Sequence, residues 1–395
     1  MFGLKKHGPD GRYGAIIDIG SGSVGVGIVV SDPLEEMPRV LWTHREQIVE
    51  RDTENLKVVE KDITVAIVNA VLELGNTGIQ SLRHYDASAK LHDIQVAVSA
   101  PWSYTVSQTT TVKKEQPFPV TDHLKAELTQ TAIQQVTEKA QQAKEDEHCK
   151  VRIVSNATVQ LTVNGYTVSQ TYNHSATELS LTQLLGVVEE RIVSGLEDAL
   201  EKVLPEIPLQ VHTFMYVYSK GLQDLAGDMS HACLVDVTAR ATEIGTVTGG
   251  ILKHTTHIPQ GTATLAQKIA RVCNVTTEEA RSYLYESASD ITNTLTKTKL
   301  EKLAAIDTDY ETALTDLLTQ TRAVTPVSNI VYLHTEQVFE YYFKERFKHI
   351  RTKRSYTIHP TTSSHFSKVE SNDTALHLSA YVFHKRLTDV PLQAS

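Results

Sequence analysis

Ala15-Ile16-Ile17-Asp18-Ile19-Gly20-Ser21-Gly22-Ser23-Val24-Gly25-Val26-Gly27-Ile28-Val29-Val30 is the stretch on which the reading of this chain turns. An apolar run ends in Asp18, a Gly/Ser cluster follows, and Val24, Val26, Ile28 and Val30 then recur at every second position. That is strand, tight turn, strand. Gly20-x-Gly22-x-x-Gly25 matches the dinucleotide-binding pattern, which requires the glycines to open a helix whose first amides hold a pyrophosphate. Here the period of two runs on through Gly25 and Gly27, so a hairpin is expected instead. An acidic residue just ahead of the glycines suits an Asp that holds a hydrated Mg²⁺ beside a phosphate cradled at the hairpin tip.

The pattern has an echo. Leu234-Val235-Asp236-Val237, then Thr238 to Thr242, then Glu243-Ile244-Gly245-Thr246-Val247 repeats strand, turn, strand with Asp at the end of the first strand. Two such units predict two related lobes facing across a cleft, with one hairpin on each wall. Helical spacing is read over Asp62 to Leu74, Thr121 to Ala143, Leu181 to Val203, Thr262 to Cys273, Thr277 to Tyr285, Tyr310 to Ala323 and Ala375 to Phe383. Strands are expected at Val40 to Glu50, Ile94 to Ala100, Thr105 to Val112, Val151 to Val163, Val211 to Tyr218, Ile251 to Ile258 and Ile330 to Leu333. Polar Gln141 to Lys150 and Ser/Thr-rich Ile358 to Thr374 read as exposed connections.

Composition limits what such a chain does. With 395 residues, 41% hydrophobic and 22% charged, it has the makings of a globular body of two or three domains or two lobes. Its 38 Lys and Arg against 47 Asp and Glu leave a net charge of −9, which argues against broad attraction to nucleic acid or anionic lipid. Three scattered cysteines, Cys149, Cys233 and Cys273, form neither a disulfide framework nor a metal-ligand spacing, as expected of a reducing compartment. The polar start, Met1 to Arg12, lacks the apolar core of a secretion signal, and no run of the length needed to span a bilayer is present.

The first hairpin, Ala15 to Val24, resembles the first phosphate motif of the actin-like ATPase superfamily, in particular its bacterial FtsA/PilM branch. Cys233 to Ile244 stands where that branch has its second phosphate motif, and His257-Ile258-Pro259-Gln260-Gly261-Thr262 resembles the segment that follows. The resemblance implies an α/β, two-lobed, actin-like (ribonuclease H-like) fold with a small α+β domain inserted in the first lobe. The implied limits are 1–92 and 166–229 for the first lobe and 93–165 for the insertion. The second lobe would cover 230–386, with a helical subdomain at about 276–325, leaving a short polar tail at 387–395. It also implies a nucleotide site made of Asp18, Gly20, Ser21, Gly22, Ser23, Asp236, Thr238, Arg240, Thr242, Gly261 and Thr262, with Asp18 and Asp236 at the Mg²⁺.

The departures matter as much. A phosphate loop needs glycine where the backbone approaches the ligand, yet the second motif carries Thr238, Ala239 and Arg240 in place of the family's glycines. Thr262 replaces a further glycine, Lys268 a downstream acid, and His334-Thr335-Glu336 the glycine pair that seats adenosine. The expectation is a pseudo-ATPase with no required cofactor, ATP and Mg²⁺ remaining as ligands only if the altered pocket still accepts them. An active ATPase or kinase, with Thr238, Arg240 and Thr242 donating to phosphate through their side chains, is the alternative. Arg240 is expected either to sit solvated at its hairpin tip or to pair with Asp18 or Asp236.

Other features read more plainly. His254 and His257, three apart on a strand, face opposite ways and do not share a metal; His334 and Glu336 have no sequence-near partner for acid–base chemistry. Phe339 to Arg354 is basic, with Phe339, Tyr342, Phe343, Phe347 and Ile350 on one side. It reads either as a lipid-touching helix or as an ordinary packed one. Leu387 to Ser395 is too short for the membrane helix that ends FtsA-type proteins. The resemblance thus implies a cytoplasmic scaffold or adaptor peripheral to the inner membrane, of FtsA type in cell division or of PilM type in the pilus platform. Its partners would be a division-ring polymer tail or the cytoplasmic tail of a pilus membrane protein, with self-association open, no nucleic acid, and indirect contact with the membrane.

Overall fold

β1 (Arg12–Ile19) and β2 (Ser23–Ser31) form the expected antiparallel hairpin, and β3 (Arg39–Gln47) pairs with β2 on its far side. The computed structural model describes residues 12–48, 56–142, 150–168, 175–223, 229–285, 295–350, 355–366 and 373–388. Most of the connection read at Gln141 to Lys150, the end of the basic segment after Ile350 and the tail beyond Thr388 lie outside them. After α1 (Leu56–Glu73) and α2 (Ile79–Tyr85), β4 (Leu91–Val98) joins β1 in parallel. The chain then leaves the lobe through β5 (Ser103–Pro119), α3 (Asp122–Gln142), β6 (Val151–Val163), β7 (Tyr166–Thr167) and β8 (Ser175–Glu189). It returns through α4 (Glu190–Val203), β9 (Leu209–Thr213) and α5 (Phe214–Gln223). The first sheet runs β3-β2-β1-β4-β9 and the inserted one β5-β8-β6-β7.

The second lobe repeats the plan. β10 (His231–Val237), β11 (Thr242–Thr248) and β12 (Ile251–Ile258) make the echoed hairpin and its third strand. α6 (Thr262–Cys273), α7 (Thr277–Ser282) and α8 (Lys297–Val324) precede β13 (Ile330–His334), α9 (Glu340–His349), β14 (Thr357–Pro360) and α10 (Thr374–Thr388). The sheet order β12-β11-β10-β13-β14 is that of the first sheet strand for strand, with the same antiparallel hairpin and parallel additions. The fold is α/β and actin-like.

The strand pairing sets different limits from those expected. Residues 91–98 belong to the first sheet, and 175–189 to the inserted one, so the inserted sheet spans 103–189 rather than lying within 93–165. α10 packs by Leu376, Ala380 and Phe383 against Ile16 and Val29 of the first sheet, not within the second lobe. Two elements differ in kind. Leu181 to Glu189 is the end of a strand, because Leu184 to Val188 are covered on both faces and the alternation that marks a half-buried strand is lost. Phe214 to Tyr218 is helical, because it lies between the two sheets and is apolar nearly all round. Phe214, Met215, Val217 and Tyr218 are wholly buried there, each contributing about 1.5–3 kcal/mol of hydrophobic stabilisation.

Of the two readings of the basic segment, packing holds. Phe339, Phe343, Phe347 and Ile350 are buried in the second lobe's core, and Arg346 pairs with Asp307 and Glu311 of α8. The expected lipid-facing side is therefore inside the protein.

Candidate functional site: a cleft held by its own side chains

Asp18 and Asp236 occupy equivalent places, opposite Gly25 and Glu243 in their hairpins, and are 4% and 1% exposed. Each has a side-chain partner. Gly25 is also opposite Arg45 of β3, so Asp18, Gly25 and Arg45 lie in a row across the sheet. A Cβ on Gly25 would fall 2.5 Å from Arg45 Nη2; only glycine lets the guanidinium cross the strand to the carboxylate. Nη2 donates to Asp18 Oδ2 at 2.9 Å and to Asp373 Oδ1 at 2.7 Å, Nε to Asp373 Oδ2 at 2.8 Å, and Nη1 to Ser23 Oγ at 2.9 Å. Asp373 in turn caps α10, accepting from the Leu376 amide at 3.1 Å. Burial pushes the Asp18 carboxyl above its usual range, and the Arg45 charge offsets this only in part. Burial also pushes Asp373 up, but the charge and hydrogen bonds of Arg45, with the Leu376 amide, outweigh it and hold the group below the usual carboxylate range.

On the facing wall His334 Nδ1 lies 2.7 Å from Asp236 Oδ1, its ring packed on Phe214 and Tyr218 with centroids 4.9 and 5.9 Å away. The pairing expected of Arg240 is thus made by Arg45 for one aspartate and by His334 for the other. His334 does have a partner, supplied by the parallel pairing that sets it beside Asp236 in the sheet. Glu336 has one too, Arg281, at 2.9 Å. Glu243 is buried beside Asp236, and its carboxyl lies well above its usual range, first through burial and then through that neighbour.

The two hairpin tips touch. Ser21 Oγ donates to Thr238 Oγ1 at 2.8 Å and accepts from the Arg240 amide at 2.9 Å. The Ala241 amide points back to Thr238 Oγ1, and the Thr238 amide to the Ala241 carbonyl. α6 begins directly behind. Its first amides, on Thr262, Ala263 and Thr264, would ordinarily be free to meet an anion. They donate instead to the carbonyls of Thr238 (3.0 Å) and Ala239 (2.8 and 3.3 Å). This closeness needs Gly261, where a Cβ would lie 2.1 Å from the Thr238 oxygen.

Asp18, Gly20, Ser21, Gly22, Ser23, Asp236 and Thr238 line one open cavity of about 320 Å³. Arg240, Thr242, Gly261 and Thr262 do not. Thr242 is turned into the second lobe, where its hydroxyl bonds the Gln260 carbonyl and Tyr310. Arg45 and Asp373 join the lining and were not read from the sequence; the period-two register of β1 to β3, which sets Arg45 level with Asp18, was the available signal for the first. Among the described residues no group of three or more His, Cys, Asp or Glu is placed to hold a metal ion. His254 and His257 belong to no such group, and burial lowers both pKa values. With Asp18 held by Arg45 and Asp236 Oδ1 by His334, the two aspartates do not offer a Mg²⁺ the shell of oxygens it takes in this arrangement.

Neither a protein-family model nor a curated protein sequence matches the chain. Solved structures do. A PilM-PilN type IV pilus biogenesis complex is similar over 95% of this chain and 98% of that one, at 11% identity and a TM-score of 0.58. The ethanolamine utilization protein EutJ from Carboxydothermus hydrogenoformans is similar over 94% and 90%, at 12% identity and a TM-score of 0.44. The chain has the fold of the actin-like ATPase superfamily, to which PilM belongs.

Proposed function

We propose that this chain is a protein-binding scaffold of the PilM type, acting at the inner face of a membrane, whose cleft is kept closed by its own side chains and turns over no ATP. The observation that carries the reading is Arg45. Its guanidinium holds Asp18, one of the two carboxylates expected at the Mg²⁺, together with Asp373, while the Gly20, Thr238, Arg240 and first α6 amides donate to protein oxygens. Expelling Arg45 would cost the pairing of two buried carboxylates before a nucleotide gained anything.

The pilus assignment is preferred to a division role because one similar solved structure is a type IV pilus biogenesis complex, PilM-PilN. The apolar side of the basic segment, through Phe339, Phe343, Phe347 and Ile350, is packed in the second lobe's core. No helix among the described residues is long and apolar enough to cross a membrane, so attachment through a partner's short segment is the mode proposed.

The test is thermal unfolding with and without millimolar Mg-ATP. A ligand at about 100 times its Kd raises stability by about 2.7 kcal/mol. No shift is expected; a saturable shift lost in Asp236→Ala would overturn the reading in favour of an active ATPase. On the partner side, co-expression with membrane proteins encoded beside it is expected to retain the chain on membranes, and truncation of their cytoplasmic tails to release it.

A further inference from the structure

On the hairpin side of the cavity the donors are committed: the Gly20 amide to Ser23, the Thr238 amide to the Ala241 carbonyl, and Arg45 to Asp18, Asp373 and Ser23. The lining carboxylates have partners too, Asp18 and Asp373 in Arg45, Glu336 in Arg281 and Asp236 Oδ1 in His334, but one buried oxygen does not. Asp236 lines the cavity, is 1% exposed, and has Oδ2 without a hydrogen-bond partner. Thr335, beside it in the lining, likewise has Oγ1 buried and unpartnered. Asp18, Asp373 and Glu336 complete a lining with four carboxylates against the single guanidinium of Arg45.

A buried acceptor with no donor is costly, and a carboxylate oxygen more so. The occupant that relieves it must bring protons and positive charge. A polyphosphate brings neither, and a hard divalent ion requires several oxygen ligands in a shell, whereas no such cluster is present among the described residues.

We propose that this cavity takes an organic cation, a primary ammonium or a guanidinium, whose N–H groups donate to Asp236 Oδ2 and Thr335 Oγ1. The inference rests on the reading above that nucleotide does not fill the cleft. About 320 Å³ holds a small diamine or the end of a lysine or arginine side chain, at the low end of ligand-pocket volumes. The two sources share one chemistry, a free amine or a basic residue of a partner.

The full chain would be unfolded thermally against increasing agmatine, with NaCl at equal ionic strength as control and Mg²⁺ alone and Mg-ATP as separate arms. A saturable rise with agmatine beyond the NaCl control is expected. Its apparent affinity should fall at least tenfold in Asp236→Asn and about threefold in Thr335→Val; if the first variant does not fold, the second decides. Acetyl-Gly-Lys-Gly-amide and its arginine counterpart separate the sources: tighter binding than agmatine assigns the site to a partner's side chain, weaker binding to a free amine. The inference is overturned if agmatine acts only as salt does, if both variants respond as the wild type does, or if Mg²⁺ alone stabilises more. A flat response to agmatine with a flat response to Mg-ATP removes this inference and leaves the scaffold reading; a shift with Mg-ATP removes both.

Discussion

Replacing Arg45 by alanine removes one cation from between two carboxylates that have little water to turn to: the side chains of Asp18 and Asp373 are 5% and 14% exposed, and that of Arg45 itself 26%. Breaking a buried pair by deleting one partner typically costs about 3–5 kcal/mol, because the remaining charge is stranded. With about 2.1 cal/mol/K of unfolding entropy per residue, a cooperative unit of this length would lose about 4–6 °C in Tm. Differential scanning calorimetry at pH 7 measures it. The mechanism makes a second, sharper demand. Asp373 is held below its usual range by Arg45, so its share of the stability is present at neutral pH and disappears as pH falls through the carboxylate range. The wild-type and Arg45→Ala curves should therefore converge in acid. Adding Asp18→Asn to Arg45→Ala should recover part of the loss, since it removes a stranded charge without restoring any contact. If Arg45→Ala melts within about 1 °C of the wild type at pH 7, or if the double variant is worse than the single, the guanidinium is not what holds this side of the cleft and the reasoning fails.

Three further outcomes are expected. Gly261→Ala drives a Cβ to 2.1 Å from the Thr238 carbonyl and should cost at least about 2 kcal/mol in a denaturant melt, more than Gly249→Ala, whose added Cβ meets nothing within 4 Å, although its φ of +61° brings a smaller strain of its own. His212 is held neutral, its pKa pushed down to about 4 by burial and then by the Arg386 charge. Stability is thus fully present above about pH 6.5 and falls as pH drops from there toward 4, by at most about 3 kcal/mol, and His212→Gln should flatten the Tm profile over that window. Phe343→Ala should behave as a core deletion, losing about 3–5 kcal/mol in a denaturant melt with no change in liposome binding, because its ring is fully buried rather than presented to lipid.

What the sequence made legible was whatever repeats along it. The Asp-ended hairpin occurs twice, and the two sheets share one strand order, so two facing lobes followed from Ile16 to Val30 and Leu234 to Val247 alone. Errors arose where burial erased the period. Ser175–Glu189 is the central strand of the inserted sheet, with neighbours on both edges and its last residues covered on both faces, and Phe214–Gln223 is a helix between two sheets. A strand and a helix that are apolar on every side look alike to a count of spacings. The limits of the insertion slipped for a related cause: β8 pairs with β5, more than fifty residues earlier, and local patterns carry no record of such pairing.

The site divides along the same line. Its glycines and aspartates were legible because each answers to a local rule, whereas Asp373 comes to Arg45 from 328 residues away and no local rule announces it. Both walls carry a buried aspartate, and a neighbouring cation favours the charged form of such a group. For Asp18 that cation is Arg45, fixed on β3, reaching over Gly25 and holding Asp373 as well, and the contact between the two hairpins is made at the tips, by Ser21 with Thr238 and with the Arg240 amide. Thr238, Ala239 and Arg240 stand where a phosphate loop needs glycine, and their backbone meets Ser21 and the first turn of α6 instead. Gly25 and Gly261 are not free, because the first makes room for the guanidinium and the second for the Thr238 carbonyl. On this account the glycines that persist are those now needed by the protein's own contacts, so Gly25→Ala should disturb the Arg45 bridge while leaving the β1–β2 register intact.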